Sequence, residues 1–260
     1  MPSPISHINR LIFVARAWLA GVLLVIPASV VIICLPGRRR RRGLARRTAQ
    51  ALFRLMGVPV TVRGLDRFPE YPCIVVANHA SYLDGPLLTA VLPPRFGFVI
   101  KREITRAPLV GRLLARLGSE FVERFDKHAA RGDAGRIIQL ARAGASLGIF
   151  PEGTFTAETG LRQFHLGAFV AATRAGIPVV PIAIRGTREI LRANTLRPCA
   201  GRIVVEILEP LSSEGPRRQA ARNLRDAARG RILECCGEPD CLRLVPDTLE
   251  DAALNAESIE

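Results

Sequence analysis

Lysine is nearly missing from this sequence. Of 37 lysine and arginine residues only Lys101 and Lys127 are lysine, and arginine carries the rest of a net charge of +14. A guanidinium grips phosphate and carboxylate as a two-pronged fork, where an ammonium acts as a point charge. A basic balance of this size therefore implies an anionic partner: nucleic acid, anionic lipid or a phosphorylated substrate. Aromatic residues are scarce too, at eleven Phe, two Tyr and one Trp, and they are not interleaved with the arginines. That argues against the stacking platform of a single-strand nucleic-acid binder, so no nucleic-acid partner is expected. The six cysteines form no framework. Cys73 and Cys34 sit in apolar runs, and Cys235-Cys236-x4-Cys241 has no paired C-x-x-C and no nearby histidine. No metal site is expected from them, and a reducing, cytosol-facing environment is. Two signatures are absent as well: Gly-x-x-x-x-Gly-Lys-Ser/Thr and Gly-x-Gly-x-x-Gly. The ATPase and dinucleotide-binding readings lose their usual support with them.

What the chain does have is apolar residues, 48% of 260. The excess lies near the N-terminus. Residues 17 to 35 carry no charge, about the ~20 residues needed to cross a hydrocarbon core. Trp18 stands where an indole favours the interface. Pro27, in the middle, either kinks a spanning helix or turns a hairpin that enters one leaflet and returns. Arg10 and Arg16 on the near flank favour the hairpin, which keeps both flanks cytoplasmic. A signal peptide is disfavoured: instead of a small-x-small cleavage site, the run is followed by Arg38 to Arg42 and then Arg46-Arg47. Basic residues directly after an apolar segment stay cytoplasmic and attract anionic head groups.

Past residue 43, helical and strand-like patterns alternate. Short apolar runs at 58–62, 73–77, 96–100, 121–124, 146–150, 178–184 and 202–208 read as strands. Amphipathic segments at 44–56, 86–91, 109–117, 129–143, 164–175 and 216–233 read as helices. This predicts an α/β domain with a mixed, largely parallel sheet flanked by helices, plus an N-terminal membrane-associated helix or helical hairpin. Three segments are expected: residues 1–43 as anchor and arginine-rich juxtamembrane segment, 44–236 as the folded domain, and 237–260 as an acidic, loosely ordered tail.

Functional loops of open α/β sheets gather at strand carboxyl ends. The 73–77 strand ends in Asn78-His79, with Asp84 five residues beyond the histidine. Imidazole takes a proton near neutral pH, and a carboxylate within reach fixes its tautomer and stabilises its charged form. A histidine satisfied in a turn is the plainer alternative. Three other strand ends carry Lys101, Arg124, and Pro151-Glu152-Gly153-Thr154. Together they would surround one pocket with a base, its carboxylate partner, fixed cations and backbone donors, which suits a phosphorylated substrate that donates a hydroxyl.

Asn78-His79-x4-Asp84, followed about seventy residues later by Phe150-Pro151-Glu152-Gly153-Thr154, resembles the glycerolipid acyltransferase family, in particular its phosphatidic-acid-forming 1-acyl-glycerol-3-phosphate acyltransferases. Phe121-Val122-Glu123-Arg124 and Val180-Pro181-Ile182-Ala183 resemble two further blocks, so the likeness covers roughly residues 55 to 210. It implies O-acyl transfer from acyl-CoA or acyl-carrier protein to the free hydroxyl of a lysolipid, with no cofactor and no acyl-enzyme. His79 would be the base and Asp84 its holder. Arg124 would clamp the acceptor phosphate, Glu152, Gly153 and Thr154 would shape that site, and Lys101 would add a phosphate or oxyanion contact. It also implies a membrane location, with the domain on the cytoplasmic face of a bacterial inner membrane and anionic lipid as partner. Where the family often continues Arg-Ser, this chain has Phe155-Thr156; where many members have Pro-Phe-Lys-Lys-Gly, it has Gln163-Phe164-His165-Leu166-Gly167. Both changes remove cations, so beside the first choice, 1-acyl-glycerol-3-phosphate, the acceptor could be another lysophospholipid or lyso-ornithine lipid. A non-catalytic binder of anionic lipid and a thioesterase are the rivals from other classes.

Overall fold

The computed structural model describes residues 4–123, 127–214 and 217–242, with side chains described for 9–123, 132–214 and 219–242. Seven strands, β1 (Val60–Arg63), β2 (Ile74–Ala77), β3 (Phe96–Lys101), β4 (Glu120–Val122), β5 (Ser146–Ile149), β6 (Val179–Arg185) and β7 (Ile203–Ile207), form one sheet in the order β1-β7-β6-β2-β5-β3-β4. Every pairing is parallel except β6 with β7. The expected mixed, largely parallel sheet is present.

β2 lies in the middle, and all four of its residues are buried. Both its faces are covered, as a near-continuous Ile-Val-Val-Ala run requires. Side-chain alternation divides the core in two. Cys73, Val75 and Ala77 pack with α3 (Arg38–Met56) and α4 (Asp84–Val91). Ile74 and Val76 pack with α6 (Lys127–Arg142), α7 (Gly167–Ala175) and α9 (Arg217–Cys236). The chain leaves β2 for α4 on one face and leaves the adjacent β5 for α7 on the other. Neighbouring strands whose connections part in this way open a crevice at their carboxyl ends, the usual ligand position of an open α/β sheet.

The N-terminal region departs from the hairpin expectation. α1 (Pro4–Ala20), a π-helical turn (Gly21–Val25) and α2 (Ile26–Cys34) form one unbroken helical run. Its Asn9–Cys34 part is long and apolar enough to cross a membrane by length and composition. Pro27 does not turn it. The widened π turn just ahead absorbs the backbone disruption that a proline brings, and Ser29 donates its hydroxyl to the Val25 carbonyl at 2.6 Å. The reversal comes later, at Leu35-Pro36-Gly37, where Gly37 adopts φ +83°. α3 then packs back on α1 and α2. Leu11, Ile12, Leu19, Val22, Leu23, Ile26, Val30 and Val31 remain exposed along the run.

The arginine block is not a linker between anchor and domain. It begins α3, which runs straight through the expected limit at residue 43. Arg42 donates to the carbonyls of Arg95, Leu117 and Gly118, and Arg41 to those of Leu35 and Arg116. These guanidiniums occupy helix carbonyl ends, where cations are favoured. Arg38, Arg39, Arg40 and Arg47 stay exposed. At the other end, Gly237 to Leu242 pack against the domain rather than trailing from it: Leu161 donates to the Pro239 carbonyl at 2.8 Å. The remainder of the expected acidic tail, from residue 243 on, lies outside the described residues.

Most expected elements match within a few residues. The helix expected from Phe164 begins at Gly167, and a short helix α8 (Thr187–Ile190) had no sequence signal. α5 (Pro108–Arg116) completes the set and packs on α2.

Candidate active site

The turn after β2 brings His79 and Asp84 together. His79 Nδ1 lies 2.8 Å from Asp84 Oδ2. The same oxygen accepts the backbone N–H of Ala80 at 2.7 Å and of Ser81 at 2.8 Å. Three donors on one oxygen fix the carboxylate at the start of α4, where a helix N-terminus also favours negative charge. Asp84 is fully buried, while the His79 side chain is 17% exposed. With Nδ1 committed to the carboxylate, Nε2 is the nitrogen left to take a proton from a ligand. Proton pick-up there would create an imidazolium already facing its counter-charge.

The turn is anchored from both sides. Asn78 binds β6 twice, donating to the Ile184 carbonyl at 2.9 Å and accepting the Ile184 N–H at 2.7 Å. Ser81 gives its hydroxyl to the Leu191 carbonyl at 2.7 Å. Phe150, the last residue before Pro-Glu-Gly-Thr, stacks on the imidazole with centroids 4.2 Å apart and planes at 17°. Phe155 meets it at 4.4 Å and 57°, and Tyr82 stands edge-on to Phe155 at 4.7 Å. The imidazole thus packs against two rings, Phe150 stacked on one face and Phe155 tilted against it. The substitution that the sequence showed as a lost cation is here an aromatic wall over the base.

Glu152 is in the site. It is 4% exposed. Oε1 accepts the backbone N–H of His79 at 2.7 Å, and Oε2 accepts that of Arg162 at 2.9 Å. Both oxygens are turned inward, and a carboxylate beside a phosphate would repel it. Glu152 therefore shapes the site from behind, by joining the His79 turn to the 150–162 loop.

Burial pushes the Glu152 carboxyl from 4.5 up to about 7, against the pull of its two backbone donors. The folded pKa is raised, so the folded state holds more protons than the unfolded chain between these values. This contribution to stability is complete below about pH 4.5 and is lost as pH rises through about 7. A neutral Glu152→Gln side chain removes that dependence, but its amide group opposes one backbone donor at every pH. The stability difference between the two proteins is expected to move in the variant's favour by about 3 kcal/mol from pH 4.5 to above 7. Urea unfolding across that range reads it; parallel pH curves would show that Glu152 does not titrate there.

Gly153 takes φ +78°, a value that needs glycine, and gives its N–H to the Phe150 carbonyl at 3.0 Å. Thr154 next to it is exposed. Lys101 is exposed at the carboxyl end of β3. Register places it level with Asn78 and two strands away, roughly 10 Å at the backbone, on the same sheet edge but outside the His79 cluster. Arg124 lies outside the described residues. The residue before it is held: the Glu123 N–H reaches Asp133 Oδ2 at 2.6 Å, and Asp133 also pairs with Arg136 at 2.9 Å.

Sequence reasoning missed the support behind this site. Arg188 and Arg229 are buried, at 6% and 8% exposed. Arg188 pairs with Glu238 and Arg229 with Asp240. Both arginines also donate to backbone carbonyls of the 156–162 segment. In a chain this rich in arginine, nothing local marks two of them as internal. Among the described residues no group of three or more His, Cys, Asp or Glu side chains is placed to hold a metal ion.

Residues 59–185 match the family model described as Acyltransferase. The lyso-ornithine lipid O-acyltransferase of Pseudomonas aeruginosa is 33% identical over 193 residues, 66% of this chain and 72% of that protein. The chloroplastic 1-acyl-sn-glycerol-3-phosphate acyltransferase BAT2 of Brassica napus is 35% identical over 132 residues; the match spans 50% of this chain and only 38% of the plant protein. The crystal structure of the 1-acyl-sn-glycerophosphate (LPA) acyltransferase PlsC from Thermotoga maritima superimposes with a TM-score of 0.73, at 20% identity, over 89% of this chain and 98% of that one. At that identity the likeness is one of fold.

Proposed function

This chain belongs to the glycerolipid acyltransferase family, and we propose that it is an O-acyltransferase moving a fatty acyl group from acyl-CoA or acyl-carrier protein to the free hydroxyl of a lysolipid. The observation that carries the reading is the His79–Asp84 pair, 2.8 Å apart at the carboxyl end of the central strand, with the His79 side chain 17% exposed. His79 Nε2 takes the hydroxyl proton as the hydroxyl oxygen attacks the thioester carbonyl carbon. The tetrahedral intermediate collapses, the C–S bond breaks, and the proton passes from the imidazolium to the departing sulfur. Attack is direct. Ser81, the hydroxyl nearest in sequence to His79, is committed to the Leu191 carbonyl. Burial lifts the Cys73 thiol to about 11, where it is not a nucleophile at neutral pH.

The best single acceptor is 1-acyl-glycerol-3-phosphate, giving phosphatidic acid. Arg124 would clamp its phosphate, and Lys101, at the same sheet edge, would add a cation. Phe155 over the base favours a second acceptor, lyso-ornithine lipid, the substrate named for the Pseudomonas relative. The apolar run holds the pocket at the membrane. Arg38, Arg39, Arg40 and Arg47, exposed beside it, support attachment to an anionic bilayer and a domain on the cytoplasmic face, in a bacterium that of the inner membrane. The folded domain then takes in α3 from its start and runs to about residue 236, with residues 237–242 as its closing strap.

The test is free-thiol release from acyl-CoA on vesicles with and without anionic lipid, with 1-acyl-glycerol-3-phosphate, a lysophosphatidylcholine or lyso-ornithine lipid added in turn. Release is expected only with an acceptor, and best with 1-acyl-glycerol-3-phosphate on anionic vesicles. Equal release without any acceptor would make the protein a thioesterase, and no release under any condition would make it a lipid binder.

A further inference from the structure

The loop that carries Phe155 is gripped from the far end of the chain. Arg188, on α8 just after β6, donates Nη1 to the carbonyls of Thr156 at 2.8 Å and Glu158 at 2.7 Å. Its Nε meets Glu238 Oε1 at 2.6 Å, and the other Glu238 oxygen accepts the Gly160 N–H at 2.7 Å. The pair is buried, with side chains 7% and 13% exposed. Two carbonyls, one N–H and an ion pair thus fix the segment from Thr156 to Gly160, beginning one residue after the ring that covers His79.

An ion pair serving stability alone would not need this arrangement. A buried pair rarely repays its desolvation against an apolar alternative, so it is weak evidence for stability. What it does supply is direction, since a guanidinium presents its donors in a rigid fork. Here the fork points at the loop backbone. The imidazole packs against Phe150, which directly follows β5, and Phe155, which belongs to this loop. Only the second ring depends on the clamp.

We propose that Arg188, held by Glu238, is a positioning residue that seats Phe155 against the His79 ring and so fixes the direction of the base. The acceptor hydroxyl must then reach the base past these two rings. A base displaced by about 1 Å loses on the order of a hundredfold in rate, so small loop movements are expected to register in turnover before they register in the fold.

The experiment compares Arg188→Gln, Glu238→Gln, Phe155→Ala and the Arg188→Gln/Phe155→Ala double variant in the full chain. The first readout is the rate at which diethyl pyrocarbonate modifies His79, taken as the difference from His79→Ala. It needs no turnover, so it stands apart from the acyl-transfer reading. Phe155→Ala is expected to speed modification several-fold. Arg188→Gln and Glu238→Gln are expected to do the same well below their thermal transitions, and the double variant to be no faster than Phe155→Ala alone. The second readout, which rests on the acyl-transfer reading, is kinetic: kcat is expected to fall about tenfold or more with the acyl-CoA KM unchanged. Glu238→Gln, which keeps one acceptor oxygen, carries the test if Arg188→Gln does not fold. Wild-type modification rates in the clamp variants, or additive rates in the double variant, overturn the proposal. A wild-type protein that transfers no acyl group but follows the modification pattern overturns the function and leaves the positioning role standing.

Discussion

His79→Ala is expected to lower acyl transfer by about 10³-fold or more while leaving the fold in place. The size follows from what the imidazole does. A lipid hydroxyl is far too weak an acid to lose its proton unaided at neutral pH, and His79 is the group placed to take that proton during attack. The fold should survive, because the side chain contributes little to the core: its Nδ1 bond goes to an oxygen that keeps two backbone donors, and its ring packs on Phe150 and Phe155. The loss should therefore appear in kcat, with the thermal transition close to wild type. Near wild-type turnover from a purified His79→Ala protein would remove His79 from the chemistry. The same variant separates direct attack from an acyl-enzyme route. If a hidden nucleophile carried the acyl group, labelled acyl-CoA would still leave a covalent adduct on some variant of the pair, and none is expected.

How much of this was legible beforehand depended on range. The strand before His79 and the turn after it are local: an unbroken Ile-Val-Val-Ala run, then a carboxylate at a fixed short distance. Gly57, Gly144 and Gly176 mark helix ends with positive φ where the sequence placed them. The turn at Pro27 failed because a proline's effect depends on the backbone ahead of it, and a π turn was already there. The arginine block misled for another reason. Composition cannot distinguish Arg42, which is consumed by three carbonyls, from Arg39, which faces solvent. Glu152 was found, but not what holds it. Its partners, the N–H groups of His79 and Arg162, are backbone atoms brought to it by a sheet pairing and a loop closure, and neither carries a side-chain signal. The clamp of Arg188 on Glu238 joins residues fifty positions apart. It exists only once β6 and α9 have packed, which no local pattern announces.

Asp84→Asn tests charge apart from geometry. Oδ2 takes all three donors, and Oδ1 has no hydrogen-bond partner among the described residues. An asparagine can keep its carbonyl oxygen in the Oδ2 position and turn its amide toward the vacant side. Both backbone donors then stay satisfied, and the histidine keeps the tautomer with its proton on Nδ1. What disappears is the negative charge that meets the imidazolium as the hydroxyl proton is transferred. A loss of about 10²- to 10³-fold in kcat is expected, smaller than for a His–Asp pair whose tautomer is also reversed. Asp84→Ala should behave differently. It strands the N–H groups of Ala80 and Ser81 in a buried turn, at about 1–3 kcal/mol each, and should lower the thermal transition as well as turnover. The contrast is the informative part. If Asn and Ala variants lose activity equally and both keep wild-type stability, the carboxylate acts only through its charge and the turn holds itself. If Asp84→Asn retains full turnover, the imidazolium needs no counter-charge, and Asp84 is there to build the turn on which His79 stands.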